Sequence, residues 1–232
     1  MSESADVIFY HNMHLEILHN SSQLAQQIKE ETVAVVGNSP CELGSGKGKV
    51  IDSYSLVVRF NYFSVREHYS SDYGRKFDVH VRGAGDTEEL ADRSSDARFV
   101  VLNQYDFLYH FRRWEHLKAL YEKGVRLCCL PSGHHFPLQK ELKAEPSLGL
   151  SFLKFVKDVT NHVERSQCFG FSLSDQLSGK AHYFDHRQPA YTHNWIKEKQ
   201  IFEGWVDNND RFEKSGYLGK AFVRLKETFF SR

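Results

Sequence analysis

The sequence predicts an α/β fold: one Rossmann-like domain with a mostly parallel sheet flanked by helices. Three observations predict it. Short apolar runs rich in Val, Leu and Phe recur from residue 33 to residue 171. Most of them stop abruptly at Gly, Asn, Ser or Pro, the residues that turn a chain. Segments of helical periodicity separate several of these runs, and parallel strands need a crossover of that kind. The 232 residues are 41% hydrophobic and 26% charged, enough apolar material for a single large core.

The elements follow in order. Residues 22–30 (SQLAQQIKE) read as a short helix. Val33–Val36 is a strand that ends in Gly37-Asn38-Ser39-Pro40. Ser55–Phe60 is a second strand and stops at Asn61; Phe77–Val81 and Phe99–Leu102 are the third and fourth. Phe107–Lys123 has Phe107, Phe111, Trp114, Leu117 and Tyr121 three or four apart, a helical stripe, and Gly124 can cap its end. Val125–Leu130 is a fifth strand, ended by Pro131-Ser132-Gly133. Glu145-Pro146-Ser147 opens a helix through about Val159, since Pro and Ser suit a helix start. Gln167–Phe171 is a sixth strand, and Thr192–Trp205 and Arg211–Phe230 read as helices. This divides the chain into an N-terminal segment (1–31), a core (32–200) and a C-terminal helical segment (201–232). Ligands of parallel sheets sit beyond the carboxyl ends of the strands. Gly37–Ser39, Asn61, Asn103–Gln104, Ser132 and Gly170 hold those positions.

Composition excludes some functions. Thirty Lys and Arg balance thirty Asp and Glu, which argues against a protein that coats nucleic acid through counterion release. The four cysteines, at 41, 128, 129 and 168, form no Cys-x-x-Cys and no zinc-finger spacing. Cys128 and Cys129, in an apolar run, read as buried thiols, and the absence of a disulfide framework favours a reducing compartment. The N-terminus has no basic start before an apolar stretch, and no run of about 18 apolar residues predicts a membrane span.

Four constellations can carry chemistry. The first is VVGNSPCELGSGKGKVID (35–52). Gly37 permits a sharp turn, Asn38 and Ser39 offer short polar groups, and Gly44, Gly46 and Gly48 predict a flexible, concave loop. It is neither a Walker A site nor Gly-x-Gly-x-x-Gly. The second is Asn61 at the end of VVRFN (57–61). The third is EPSLGLSFLKFV (145–156), where Ser147 and Gly149 stand at a helix start, a ready anion site. The fourth is HYFDHRQPAYTHNWIKEK (182–199), with His182, His186, His193 and Glu198; a His there can take or give a proton. None has metal-ligand spacing. Taken singly, each also fits a turn, a cap or a solvated residue.

Together and in this order they resemble the motifs of glycosyltransferase family 29, the animal-type sialyltransferases. The long motif is similar to residues 33–63 (VAVVGNSPCELGSGKGKVIDSYSLVVRFNYF) with its continuation Ser71-Asp72-Tyr73-Gly74-Arg75-Lys76. The short motif resembles Pro146-Ser147-Leu148-Gly149 through Phe169-Gly170-Phe171. The third resembles His182-Tyr183-Phe184-Asp185, and the very short motif matches His193 with Glu198. The resemblance spans roughly residues 32–200. The chain departs from the pattern with Leu148 in place of Thr. It also has Thr32 and Thr160 where animal members join the two motifs by a disulfide, and a short interval from His182 to His193. The Golgi anchor and stem of those members have no counterpart here, which suggests a minimal, cytoplasmic, microbial or viral relative.

The resemblance implies a sialyltransferase variant of the GT-A fold. It implies transfer of sialic acid from CMP-sialic acid to a hydroxyl, with inversion and without metal or other cofactor. His193 would be the general base and His182 would serve the leaving phosphate. Ser147 and Gly149 would hold the phosphate or donor carboxylate, and Asn38, Ser39 and Asn61 the nucleotide. Glu198, Gly37 and Gly170 would support them. The acceptor is expected to be a glycan or glycolipid, such as a lipooligosaccharide, contacted by His134–Phe136 and Tyr183–Tyr191. Membrane contact, through Arg112, Arg113, His116 and Lys118 or Arg224–Arg232, is peripheral at most. Two alternatives stay open: a CMP-Kdo-dependent enzyme of the same fold, and a non-catalytic CMP-binding relative.

Overall fold

The computed structural model describes residues 3–83, 94–103, 114–172, 180–186, 188 and 190–214. Six strands form one sheet: β1 (Val33–Val36), β2 (Leu56–Phe60), β3 (Val79–Arg82), β4 (Phe99–Asn103), β5 (Leu127–Leu130) and β6 (Cys168–Phe169). Their order is β5-β4-β3-β2-β1-β6, and all five pairings are parallel. Val33, Ala34, Val35 and Val36 of β1 are all buried, as are Leu56–Phe60 of β2. Burial on both faces is why these strands read as continuous apolar runs rather than as alternating ones.

Seven helices are described: α1 (Glu3–Glu30), α2 (Gly48–Asp52), α3 (Glu67–Tyr73), α4 (Trp114–Glu122), α5 (Ser132–Leu142), α6 (Leu148–Thr160) and α7 (Trp195–Lys214). Strand residues send alternate side chains to opposite faces. Val33, Val35, Val58, Val79, Val81 and Val101 meet Leu150, Phe152, Leu153 and Val156 of α6 and Phe202 of α7 in the largest core. On the other side, Ala34, Val36 and Val57 meet Ile51, Tyr73 and Tyr183. A third cluster joins Val100 and Leu127 to Met13 and Ile17 of α1 and Leu120 of α4.

Several boundaries differ from the sequence reading. The first helix starts at Glu3, not at residue 22. Met13, Ile17, Leu24 and Ile28 form its buried stripe, but Ile8, Leu15 and Leu18 are exposed and blur the pattern. Ser21 Oγ donates to the Ile17 carbonyl and accepts from Cys129 N at 2.9 Å. The helix thus satisfies an N–H on the edge strand β5. Strand β3 runs Val79–Arg82 rather than from Phe77 to Val81, and β5 begins at Leu127. Strand β6 ends at Phe169 because Gly170, at φ 67°, turns the chain away. Helix α5 was not expected, because Pro131-Ser132-Gly133 read only as the turn that ends a strand; Pro137 stands inside the helix, and buried Leu138 and Leu142, one turn apart, hold it to the core. The two C-terminal helices begin as one continuous α7 through Lys214. Residues 107–113 and 215–230 of the expected helices lie outside the described residues. Among the described residues no helix is long and apolar enough to cross a membrane.

Candidate active site

The strand order reverses beside β1: the chain moves from β1 to β2 on one side, and returns as β6 on the other. Crevices in parallel sheets open at such points. Here the turns after β1 and β6 meet. Gly37 N donates to the Phe169 carbonyl at 2.8 Å, and Ser39 N to the Gly170 carbonyl at 3.1 Å. A Cβ on Gly37 would lie 2.5 Å from the Gly170 carbonyl oxygen, and one on Gly170 would lie 2.4 Å from the oxygen of Gly37. Only glycines allow this approach. Ser39 Oγ donates to Ser172 Oγ at 2.7 Å, a bond between the two turns.

The two asparagines brace the neighbouring strand ends. Asn38 Nδ2 donates to the carbonyls of Phe60 and Tyr62, at 3.0 and 2.9 Å. Asn61 takes the left-handed conformation, φ 46°, which Asn tolerates better than most residues. Its Oδ1 accepts from Gly83 N at 2.9 Å and its carbonyl from His80 Nε2 at 2.9 Å.

The glycine-rich loop is concave, as expected, but the protein fills the concavity itself. Gly44 N and Gly46 N donate to the two oxygens of the buried Asp72 carboxylate, at 2.8 and 2.9 Å. Both glycines have positive φ, 78° and 66°, and aligned amides of this kind form an anion nest. Gly48 serves packing: a Cβ there would lie 1.9 Å from the Ser70 carbonyl. Glu42, also buried, accepts from Gly170 N at 3.3 Å and pairs with Lys47 at 2.8 Å.

Ser147 caps α6, accepting from Leu150 N at 3.2 Å. Its own N–H and hydroxyl donate to Glu198, at 2.7 and 2.6 Å. Glu198 on α7 is 0% exposed. Burial pushes its carboxyl above the usual range, against the two Ser147 bonds and the nearby His193, which favour the charged form. Gly149 admits Phe171, whose ring would lie 2.7 Å from a Cβ at that position. Leu148, the departure from the family pattern, lies over Gly83 at the end of β3; a Cβ on Gly83 would be 3.5 Å from Leu148 Cδ1 and 3.6 Å from Asn61 Oδ1.

The two histidines sit on separate segments. His193 Nδ1 is 2.7 Å from the Glu145 carbonyl. A carbonyl only accepts, so Nδ1 carries the hydrogen and a neutral ring has its lone pair on Nε2. His182 Nδ1 faces both oxygens of Asp185, at 3.1 and 3.2 Å, and its ring stacks on Phe184. The next residue anchors that segment. Tyr183 N donates to the Asn38 carbonyl at 2.9 Å, its ring stacks on Tyr73 at 3.8 Å, and its hydroxyl donates to the Ser64 carbonyl.

The fold therefore gathers Gly37, Asn38, Ser39, Asn61, Ser147, Gly149 and Gly170 at one end of the sheet, with His182 tied in through Tyr183 and His193 through Glu145. His186 is exposed. His134–Phe136, expected in a loop, lie in the first turns of α5; His134 bonds Asp158 and His135 is buried. Ser132 opens the same helix rather than lining a turn. Gln104, Arg112, Arg113 and Arg224–Arg232 lie outside the described residues. Asp72, Glu42, Glu145 and Asp185 were not singled out as site residues from sequence, although all four stood inside the quoted stretches. All four cysteines are free thiols, and burial pushes Cys128 up to about 12. Among the described residues no group of three His, Cys, Asp or Glu could hold a metal ion.

A family model, glycosyltransferase family 29 (sialyltransferase), matches residues 7–125, just over half of the chain. Two crystal structures of a mammalian sialyltransferase share the fold. One, in complex with Gal-beta-1-3GalNAc-ortho-nitrophenol, aligns with a TM-score of 0.52 at 21% identity, over 73% of this chain and 64% of that one. The other aligns with a TM-score of 0.54 at 21% identity, over 74% and 64%. The chain thus spans less than two thirds of the length of these solved structures.

Proposed function

Because this chain belongs to glycosyltransferase family 29, we propose that it is a sialyltransferase, moving sialic acid from CMP-sialic acid to a hydroxyl of a glycan or glycolipid with inversion and without metal. The observation that carries this reading is the hydrogen bond from His193 Nδ1 to the Glu145 carbonyl. It leaves Nε2 of the neutral ring as an acceptor, which is what a general base needs. In the proposed reaction the acceptor hydroxyl gives its proton to Nε2 while its oxygen bonds to the anomeric carbon. The bond from that carbon to the phosphate oxygen breaks, and its electron pair leaves with CMP. Attack opposite the leaving group inverts the centre. His182, held by Asp185, donates a hydrogen bond or a proton to the departing phosphate. At the α6 start Gly149 offers its backbone N–H to the phosphate or the donor carboxylate, beside Ser147, whose own N–H and hydroxyl are held by Glu198. Asn38, Ser39 and Asn61 hold the nucleotide, beside the junction that Gly37 and Gly170 make possible. Glu198 supports the α6 cap.

The test is CMP release by the purified protein from CMP-sialic acid and from CMP-Kdo, with a panel of galactoside acceptors, in EDTA. Acceptor-stimulated release from CMP-sialic acid is expected. Release from CMP-Kdo alone moves the donor assignment, and CMP binding without release from either donor supports a non-catalytic relative.

A further inference from the structure

Helix α5 has no role in the proposed reaction, yet it holds the residue that holds His193. The carbonyl that receives His193 Nδ1 belongs to Glu145. The Glu145 side chain meets α5: Gln139 Nε2 donates a hydrogen bond to Oε2 at 2.9 Å, and His135 Nε2 lies 3.2 Å from Oε1, a distance that makes an ion pair when the ring is protonated but is not aligned as a hydrogen bond. His135 and Gln139 are one helical turn apart, so they face the same partner. His135 is 2% exposed. The neighbour of His193 is tied to the same helix, because Asn194 Nδ2 donates to the Leu142 carbonyl at 3.2 Å.

A bare carbonyl in a connecting segment fixes a ring only as well as that segment is fixed. Glu145 stands between Ala144 and Pro146, beyond the end of α5 and before α6. A backbone rotation there would swing its carbonyl away from Nδ1. With Oε2 hydrogen-bonded to Gln139 and Oε1 beside the His135 ring, that rotation is resisted.

We propose that His135 is a positioning residue: together with Gln139 it clamps Glu145, and the clamped carbonyl sets the tautomer and orientation of His193. The proposal rests on the base role given to His193. Its first readout is nonetheless independent of catalysis.

The experiment is ¹⁵N NMR of the His193 ring in full-length wild type, His135→Leu and His135→Gln, with kcat, KM and CMP affinity measured in parallel. The wild type is expected to show the Nδ1-protonated tautomer. The folded His135→Leu protein is expected to show a mixture, and His135→Gln, which restores an N–H near the same place, to recover the wild-type spectrum. Activity should follow: kcat falls about 10- to 100-fold in His135→Leu, in the range that a 1 Å misplacement produces, while KM for the donor and CMP affinity stay put. Should His135→Leu not fold, Gln139→Met at a half-buried position carries the same measurements. An unchanged tautomer in a folded variant overturns the clamp, as does a loss of CMP affinity equal to the loss of kcat. A tautomer shift in a protein whose wild type transfers no sugar upholds the clamp and sinks the proposed reaction instead.

Discussion

The segments carrying His182 and His193 solve the same problem with different partners. Each fixes an imidazole at Nδ1. His182 does so with the Asp185 carboxylate three residues away, and His193 with the Glu145 carbonyl, forty-eight residues away in sequence. A carboxylate partner stabilises charge on a ring, whereas a carbonyl partner only fixes its tautomer. The first arrangement suits a group that donates to a departing phosphate. The second suits a group that accepts a proton. In the proposed reaction each histidine takes its role from the partner at its Nδ1, not from the imidazole itself.

The largest effect should come from His193→Ala. Loss of a positioned base is expected to lower kcat by about 10²–10⁴ with CMP affinity unchanged in calorimetry. Normal turnover would erase the contrast, since either histidine could then serve. Glu198→Ala comes next. It leaves the Ser147 N–H and hydroxyl without their acceptor in a buried place, at a cost of about 1–3 kcal/mol, read as a lower urea midpoint with an unchanged slope. An unaltered midpoint would mean that water replaces the carboxylate.

Asp185→Asn should be milder. It keeps an acceptor for His182 Nδ1 but removes the charge, so kcat should drop about ten-fold, which is about 1.4 kcal/mol. The drop should shrink with donors whose leaving group is more acidic. A loss as large as that of His193→Ala would make Asp185 part of the base machinery. The smallest effect concerns pH. Burial first, opposed by Ser147 and His193, leaves the Glu198 carboxyl above the ordinary carboxylate range in the folded protein. Between the two values the folded state binds more protons than the unfolded one. Its contribution is therefore fully present at low pH and is lost as pH rises through the folded value. Relative to Glu198→Gln, the wild type should gain stability as pH falls through that window. The opposite slope in urea titrations would show that the Ser147 bonds outweigh burial.

Much of the sheet was legible from local pattern. Val33–Val36 falls where the apolar run places it, because a strand buried on both faces needs no partner to announce itself. Ser147 likewise reads as a cap from its place before an apolar helix, and it caps α6. Helix α5 did not read as a helix: Gly133 and Pro137 oppose it locally, and only packing of Leu138 and Leu142 rescues it. The glycine loop read as an open concavity. Asp72, twenty-six and twenty-eight residues from the amides it meets, closes it. Glu145 read only as part of a helix start and not as a site residue, because its part is played by a backbone carbonyl, which every residue has.

By itself, then, the sequence determined the parallel sheet, the turn residues at its carboxyl ends and the helix start at Ser147, all features set by contacts within a few residues or by uniform burial. Tertiary structure alone decided which nitrogen of His193 bears a proton, that Glu198 lies buried against Ser147, and that Asp72 occupies the amides of Gly44 and Gly46. Those outcomes depend on hydrogen bonds between groups far apart in the chain. Such bonds are directional within tenths of an ångström, and they exist only once packing has brought the groups together.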